Sequence, residues 1–437
     1  MAEQVSVGPI SGFPEWLPEL RLAEQRLIGA IREQYELFGF APIATPAVER
    51  MEVLLAKGGI QRQIYTLGRA AEDADETALG LHFDLTVPLA RYVAQHGEQL
   101  VFPFRRYQIQ KVWRGERAQR GRFREFYQCD ADIVGSGSLD LVHDAEMAVL
   151  VNAVFDRLGV GDFVVRISNR KILTSLCAAH GLEPARTAEA LRIVDKGGIG
   201  QPEATARALA DAGFGAELAG TIADLLACAD LDDAAAVLAK AGAATEGVSE
   251  LRTVVDACAE LGMPPHRLVC DLGIARGLDY YTGTVYETFV CGNEGWGSVC
   301  SGGRYDDLAS FFTKREHPGV GISIGLTRLL DLLVQSGRVQ AEASTPARVL
   351  VTMLDRERFF PRYLDLARAL REAGVPTDVY LQPDALRDQL AYAAAKGFAY
   401  AVIAGEREFA AGTVALRDLR TRAQEQVPIE DLPTRVG

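Results

Sequence analysis

The sequence predicts an α+β protein built from an antiparallel-sheet domain with a helical insertion, followed by a smaller α/β domain. Strand-like segments such as "RRYQIQKVWRG" and "REFYQCDADIVG" are separated by polar turns, a pattern typical of antiparallel strands. Alanine and leucine dominate residues from about 172 to 262, which indicates short helices. After residue 347 strand and helix patterns alternate, which favours a parallel sheet. We therefore expect domains over 1–337 and 348–437, joined by a linker at 338–347.

The individual elements follow in order along the chain. The amphipathic segment "LPELRLAEQRLIGAIREQYELFG" predicts a helix that ends at Gly39, and "FAPIATPAVER" predicts an extended piece interrupted by Pro42 and Pro46. "DLTVPLARYVAQHG" predicts a further helix. Beyond the insertion, "TVYETFVCG" and "GSVCSGGRYDDL" have strand character, and "GVGISIGLTRLLDLLVQSG" predicts a strand that leads into a helix.

Charge is distributed unevenly along the 437 residues. The formal net charge is -13, yet residues 105–124 hold eight Lys/Arg and one Glu, a local balance of +7. A concentrated cationic stretch in an acidic protein suggests that a polyanion binds at one place. The alternative is a solvated, charged turn.

Cysteine and histidine usage bears on metal sites and compartment. Seven scattered cysteines never show Cys-x-x-Cys spacing, and six dispersed histidines form no ligand cluster. These patterns argue against a disulfide framework and a zinc site. The start "MAEQVSVGPISG" lacks a secretion pattern, and no uncharged apolar run is long enough for a membrane helix. We expect a cytoplasmic protein.

Glycine-based phosphate loops are not predicted. Gly-Lys does not occur, and "GVGISIG" lacks G-x-G-x-x-G spacing, so a bound nucleotide would depend on cationic side chains. Arg114 and Arg122 flank a turn between two strand-like segments, and guanidinium groups match phosphate oxygens. Phe126 could stack on a base, and Arg328 could cover its opposite face. Surface ion pairing is the alternative role for such arginines.

Several segments, in the expected order, resemble class II aminoacyl-tRNA synthetases. "WRGERAQRGRFREFYQCD" resembles motif 2, "GVGISIGLTRLL" motif 3, and "FAPIATPAVER" motif 1, whose proline lies at a dimer interface in that class. "LGIARGLDYYTGTVYE" is similar to the signature peptide of the histidyl-tRNA synthetase family, and "DLTVPLARY" and "SGGRYDDL" also match that family. The resemblance covers about residues 15–430 and implies a class II catalytic domain followed by an anticodon-binding domain.

The resemblance implies a reaction and its participants. ATP, accompanied by Mg²⁺, and L-histidine would form histidyl-adenylate, and histidine would then pass to the 3' end of tRNA(His). The protein would be a homodimer. It would hold no metal of its own, because Mg²⁺ would arrive with ATP.

The resemblance also assigns roles to individual residues. Arg114 and Arg276 would be catalytic residues that clamp the α-phosphate and the attacking carboxylate, Arg122 would hold the γ-phosphate, and Phe126 and Arg328 would sandwich adenine. The residues implied for histidine binding are Asp84, Leu85, Thr86, Gln128, Asp132, Tyr280, Tyr281 and Tyr305. Of these, Asp84, Thr86 and Gln128 would hold the α-amino group, and Asp132 and Tyr281 would face the ring. Arg117 and Gln119 would contact the tRNA acceptor end.

One departure and three rival interpretations remain, one of the three being a tRNA-sensing pseudoenzyme domain of a larger kinase, although no kinase motif occurs. Several bacterial relatives have a "PEGT"-like sequence where this chain has "FDLT", so Asp84 is one methylene shorter than the glutamate there. A catalytically silent regulatory paralogue, like the synthetase-like subunit of ATP phosphoribosyltransferase, would share the catalytic fold but lack the anticodon domain and much of the signature. A nucleotide-binding enzyme with another substrate is the third alternative.

Overall fold

A computed structural model describes residues 7–56, 63–68, 78–197, 201–275 and 280–437 of the chain. The chain divides into two compact units, one containing Leu27–Arg338 and the other Val339–Gly437. The second unit also includes Glu15–Arg26, which covers the start of the first helix. None of the described helices is both long and apolar enough to cross a membrane.

A sheet of eight strands forms the centre of the first unit. The described strands of this unit are β1 (Ala41–Pro42), β2 (Val48–Arg50), β3 (Thr66–Leu67), β4 (Leu79–Leu81), β5 (Phe104–Trp113), β6 (Glu125–Val134), β7 (Phe163–Asn169), β8 (Leu268–Cys270), β9 (Thr284–Val290), β10 (Cys300–Tyr305) and β11 (Gly319–Gly325). The large sheet has the order β1-β5-β6-β11-β10-β9-β7-β8, and β2, β4 and β3 form a small separate sheet.

The prediction of an antiparallel sheet is confirmed for the six inner strands of the large sheet. Every neighbouring pair from β5 through β7 is antiparallel. The two outer pairs, β1 with β5 and β7 with β8, are parallel. Parallel neighbours need a long crossover connection, and the helical insertion supplies that connection between β7 and β8.

The helices of the first unit pack around this sheet and fill the insertion. They are α1 (Pro18–Leu37), of which the residues from 27 onward belong to this unit, α2 (Met51–Leu54), α3 (Thr86–His96), α4 (Val142–Leu158), α5 (Arg170–Ala179), α6 (Pro184–Gly197), α7 (Pro202–Asp211), α8 (Ala216–Leu226), α9 (Leu231–Lys240), α10 (Glu246–Glu260) and α11 (Leu326–Gln335). Helices α5 to α10 form the predicted insertion. Two of them begin at capping side chains: Asn169 accepts a hydrogen bond from the backbone N–H of Lys171, and Asp230 accepts from those of Asp232 and Asp233.

A buried ion pair connects α4 to the sheet. Asp144 is 0% exposed and Arg304, in β10, is 6% exposed. The Arg304 Nε atom lies 3.1 Å from each carboxylate oxygen of Asp144, and its Nη2 atom lies 2.5 Å from one of them. Burial raises the pKa of the Asp144 carboxyl, and the hydrogen bond and charge of Arg304 oppose that rise. Because both partners are buried, neither can be hydrated if the other is removed.

The second unit has a mixed sheet rather than the predicted parallel one. Its strands are β12 (Val349–Val351), β13 (Thr377–Val379), β14 (Tyr400–Ile403), β15 (Thr413–Asp418) and β16 (Gln424–Pro428), and its helices are α12 (Arg356–Glu372), α13 (Leu386–Lys396), α14 (Glu406–Ala411) and α15 (Leu432–Val436). Strands β13, β12 and β14 are parallel, whereas β15 and β16 add in antiparallel orientation. The prediction is wrong for these last strands, since the connections at 404–412 and 419–423 are both shorter than a parallel crossover needs.

We expect Asp144→Ala to lower the free energy of unfolding of the first unit by about 3–5 kcal/mol, because it removes the buried partner of the Arg304 guanidinium and leaves only the partly exposed Asp306, 3.7 Å away. Urea unfolding followed by tryptophan fluorescence measures the change. The matched control is Glu33→Ala, which removes an ion pair to Arg157 of α4. The Glu33 and Arg157 side chains are 56% and 55% exposed, so this pair is not buried. Equal effects of the two substitutions would contradict the role assigned to Asp144.

Candidate active site

A cavity of about 630 Å³ opens over the large sheet. Nine of the residues expected at the site line it: Thr86, Arg114, Arg122, Gln128, Asp132, Tyr280, Tyr281, Tyr305 and Arg328. A smaller cavity of about 130 Å³ shares Arg114, Arg122, Gln128 and Arg328 with the first, and Phe126 lines it as well. The fold therefore brings together residues that lie up to about 240 positions apart in the chain.

Strand β6 supplies the polar floor of the larger cavity. Alternate residues of a strand face the same side, and Gln128, Asp130 and Asp132 all line the cavity. Opposite Asp132 on β11 lies Gly321. A Cβ atom at Gly321 would lie 2.1 Å from the Asp132 Oδ1 atom, so only glycine leaves room for this carboxylate.

Asp132 belongs to a buried polar network. The hydroxyl of Tyr305 donates a hydrogen bond of 2.8 Å to Asp132 Oδ1, and Arg106 Nη2 lies 2.7 Å from Asp132 Oδ2. Arg106 is on β5, directly across from Asp132, and is 0% exposed. Burial raises the pKa of the Asp132 carboxyl, and the Arg106 charge and the Tyr305 hydrogen bond oppose that rise. The network holds the carboxylate in a fixed position.

The start of α3 supplies a second polar group. Asp84 Oδ1 accepts a hydrogen bond of 3.0 Å from the backbone N–H of Val87, which fixes the side chain at the helix start. The side chains of Thr86 and Tyr280 are hydrogen-bonded to each other. Asp84 itself is buried beside the residues that line the cavity, and Leu85 is 0% exposed and does not line it. The side chain of Leu85 is thus part of the protein interior.

Three tyrosines, Tyr280, Tyr281 and Tyr305, also line the larger cavity. Tyr280 contacts Tyr281 and Tyr305 edge-on, with ring centroids 4.8 and 5.9 Å apart. Burial raises the pKa values of all three phenols above their ordinary range. The hydroxyls therefore stay protonated near neutral pH, and each retains a hydrogen-bond donor.

Three arginines, Arg114, Arg122 and Arg328, line both cavities. Arg114 donates a 3.0 Å hydrogen bond from Nε to the Phe83 carbonyl, and its guanidinium lies 5.1 Å from the ring centroid of Phe126. Arg328 donates from Nε to the Gly121 carbonyl at 2.7 Å and from Nη1 to the Ser298 carbonyl at 2.6 Å. These bonds hold both guanidinium groups in place.

The positive charges of these arginines favour an anionic ligand. Burial lowers the pKa of Arg328, and the nearby positive charges of Arg122 and Arg114 lower it further. A bound polyphosphate would relieve this repulsion between like charges. The hairpin that carries Arg122 also needs a glycine at 121, because φ there is +66° and a Cβ would lie 2.9 Å from the Trp296 ring.

Two expected residues lie away from the cavities, and a third is outside the described part of the chain. Arg117 and Gln119 are exposed on the hairpin between β5 and β6 and do not line the cavities. The backbones of Gln119 and Arg122 pair across the hairpin tip, through hydrogen bonds of 3.2 and 2.8 Å. Arg276 lies outside the described residues, so its predicted position stays a prediction.

Sequence reasoning missed two groups in the site. Asp130 lines the cavity between Gln128 and Asp132, and the period-two pattern of β6 could have identified it. Arg106, which pairs with Asp132, sits in the cationic segment at 105–124, but its partner depends on strand register. Among the described residues, no group of His, Cys, Asp or Glu could hold a metal ion.

The chain is similar throughout its length to proteins of known family. The family described as "Histidyl-tRNA synthetase" matches residues 12–329, and the family described as "Anticodon binding domain" matches residues 348–437. The histidine–tRNA ligase of Xanthomonas oryzae pv. oryzae is 45% identical over 96% of this chain and 95% of its own.

Solved structures show the same relationship. The histidyl-tRNA synthetase of Nostoc sp. PCC 7120 is 40% identical, with a TM-score of 0.89 over 99% of each chain. A structure from Bacillus halodurans described as an ATP phosphoribosyltransferase regulatory subunit/histidyl-tRNA synthetase shares the fold, at 22% identity and a TM-score of 0.73 over 89% of this chain and 97% of its own. Both units match family models, and the chain is 45% identical to a histidine–tRNA ligase over 96% of its length. The chain belongs to the histidyl-tRNA synthetase family.

Proposed function

We propose that the larger cavity joins L-histidine and ATP to form histidyl-adenylate, releases pyrophosphate, and then transfers histidine to the 3' end of tRNA(His). This two-step aminoacylation is the reaction of the family. The observation that carries the proposal for this chain is a cavity lined by Asp130 and Asp132 and also by Arg114, Arg122 and Arg328, of which the three arginines line the adjoining smaller cavity as well. The substrates need such polarity, because the amino acid brings an ammonium group and ATP brings phosphates.

Arg114 is the described residue best placed to act on the reacting phosphate. It lines both cavities, so its guanidinium can reach a phosphate that lies between the nucleotide and the amino acid. The histidine carboxylate attacks the α-phosphorus, and the bond to the leaving pyrophosphate breaks. Negative charge builds on the phosphoryl oxygens during this step, and a fixed guanidinium stabilises that charge. Arg276 is proposed as the second clamp on the α-phosphate and carboxylate.

The remaining nucleotide contacts follow from the smaller cavity. Phe126 and Arg328 both line it, which supports an adenine ring held between them. Arg122 is exposed at the rim and is proposed to hold the γ-phosphate. Mg²⁺ would enter with ATP and neutralise the other phosphates.

Histidine is proposed to lie beside the carboxyl groups of Asp84 and Asp132. Asp84, Thr86 and Gln128 hold the α-amino group, while Asp132 and Tyr281 face the imidazole ring. Tyr280, Tyr305 and the backbone at Leu85 complete the pocket. Pairing both ring nitrogens gives strong selection, because an apolar side chain of similar size would leave buried polar groups unpaired.

The tRNA is proposed to contact both units. Arg117 and Gln119 project from the β5–β6 hairpin, where they can meet the acceptor end. We assign residues 1–337 to catalysis and 348–437 to anticodon binding, with a linker at 338–347. The extent of the two family matches supports this division.

We expect ATP–pyrophosphate exchange to depend on L-histidine and on Mg²⁺ when each of the twenty amino acids is tested in turn. The physical reason is that the proposed site offers polar partners to both nitrogens of an imidazole ring and cationic side chains to the phosphates of ATP, which brings Mg²⁺ with it. Exchange supported by a different amino acid, or by none, would refute the proposed function.

We expect Arg114→Lys to slow adenylate formation by roughly 10²–10³-fold, the scale for losing one preorganised donor, since an ammonium cannot reproduce the planar guanidinium contact. Single-turnover kinetics at saturating ATP and histidine measure the rate. Arg120→Lys is the matched control: Arg120 is on the same hairpin, bonds to Gln335 and stacks on Trp296, and does not line either cavity. Equal slowing of both variants, or no slowing by Arg114→Lys, would contradict the contact assigned to the Arg114 guanidinium.

We expect a homodimer, because the segment that follows α1 resembles motif 1, whose proline lies at the dimer interface in class II synthetases. In such an interface both protomers use the same surface. Light scattering at micromolar concentration should give twice the 47.4 kDa chain mass. A mass of one chain would contradict the proposal.

The cytoplasm is the compartment proposed for the protein. All seven cysteines are free thiols. A reducing compartment such as the cytoplasm keeps thiols in this form. Cell fractionation with an antibody to the chain tests this, and recovery outside the cytoplasmic fraction would contradict it.

A further inference from the structure

Asp130 is a buried acid at the centre of the candidate site to which the proposed reaction assigns no role. It lies on β6, its side chain is on the same face as Gln128 and Asp132, and it lines the larger cavity. The residue is 1% exposed. Its Oδ1 atom has no hydrogen-bond partner among the described residues. A buried acceptor without a donor is costly, so a ligand that supplies the donor would be stabilised there.

Two neighbouring acceptors are in the same condition. Asp84 Oδ2 and Gln128 Oε1 are also buried and have no partner within the described part of the chain. The other halves of these side chains are engaged: Asp84 Oδ1 accepts from Val87, and Gln128 Nε2 donates to the Ser323 hydroxyl at 2.7 Å. Their orientation is therefore set by the protein, and it leaves one acceptor oxygen on each for a ligand.

These three acceptors match one chemical group. An ammonium group has three N–H donors and a positive charge. We propose that Asp130, rather than Thr86, is the third acceptor for the α-ammonium group of the amino-acid substrate, with Asp84 Oδ2, Gln128 Oε1 and Asp130 Oδ1 each accepting one N–H. This inference rests on the proposed function and adds a residue to the histidine site.

The imidazole ring is a poorer match for Asp130. The ring is assigned to Asp132, whose two oxygens already contact the Tyr305 hydroxyl and the Arg106 guanidinium. Thr86, which was expected to contact the α-amino group, is hydrogen-bonded with Tyr280. Asp130 therefore offers an acceptor at the position where the ammonium group needs a further one.

The charges around Asp130 also favour a cation. Burial raises the pKa of the Asp130 carboxyl to about 7, with the charges of Asp132 and Asp84 acting in the same direction and Arg106 and a hydrogen bond from Ser323 opposing them. A cation at the unpaired oxygen favours the ionised carboxylate. Binding of the ammonium group would then be accompanied by loss of a proton from the fraction of Asp130 that still carries one.

The test compares two ligands that differ only in the α-amino group. The ligands are L-histidine and 3-(imidazol-4-yl)propionate, and their dissociation constants are measured by calorimetry at pH 8 with the full-length protein and with Asp130→Asn. We expect the substitution to weaken histidine binding by about 10- to 100-fold, the scale for a hydrogen bond to a charged group. Binding of the propionate should change by less than about threefold, because that ligand has no ammonium group.

Asp132→Asn is the matched control, since it lies two residues away on the same strand face and is assigned to the ring. It should weaken both ligands to a similar degree. A thermal melt establishes that Asp130→Asn is folded, and Asp130→Ser replaces it in the same comparison if it is not.

Equal weakening of both ligands by Asp130→Asn would overturn the inference, as would unchanged histidine binding. Failure of the wild-type protein to bind histidine would instead refute the proposed function. The two failures are therefore distinguishable by the wild-type measurement alone.

Discussion

The ion pair between Arg106 and Asp132 sets the conditions for the candidate site. The two residues face each other on β5 and β6, and burial of Arg106 is complete. Without the guanidinium, carboxyl groups on this strand face would be strongly driven to protonate in the protein interior. The pair thereby lets an acidic floor exist beneath the larger cavity. That floor is where a cationic, hydrogen-bonding substrate can be selected.

The rest of the sheet is arranged to make room for these acids. Gly321 on β11 leaves the space that the Asp132 carboxylate occupies, and Tyr305 on β10 donates to the same carboxylate. The Asp144–Arg304 pair holds α4 against β10, which is separated from β6 in the sheet only by β11. Positioning of the site thus depends on inner strands that are hydrogen-bonded to neighbours on both sides, which limits movement of the reacting groups.

Separation of charge within one cavity connects the structure to the chemistry. Asp130 and Asp132 line the larger cavity only, while Arg114, Arg122 and Arg328 line the adjoining smaller cavity as well. An aminoacyl-adenylate carries an ammonium group on one side of the new bond and a phosphate on the other. In the proposed reaction, the groups that bind the separate substrates would also align the carboxylate with the α-phosphorus, and such positioning lowers the barrier to the reaction.

Local patterns in the sequence determined the inner strands of the large sheet, the helical insertion and most of the residues that line the cavities. The turn between β5 and β6, the strand-to-helix passage at "GVGISIGLTRLL" and the signature segments are each contiguous, so their residues can be recognised from the order of amino acids alone. Strand register and burial were decided only by the tertiary structure. The pairing of Arg106 with Asp132, the unpaired oxygens of Asp84, Gln128 and Asp130 within the described part of the chain, the burial of Leu85 and the antiparallel β15 and β16 all depend on packing against other segments. Hydrogen-bond partners and solvent exposure are properties of the packed molecule, and a local pattern carries no information about which strand will lie alongside.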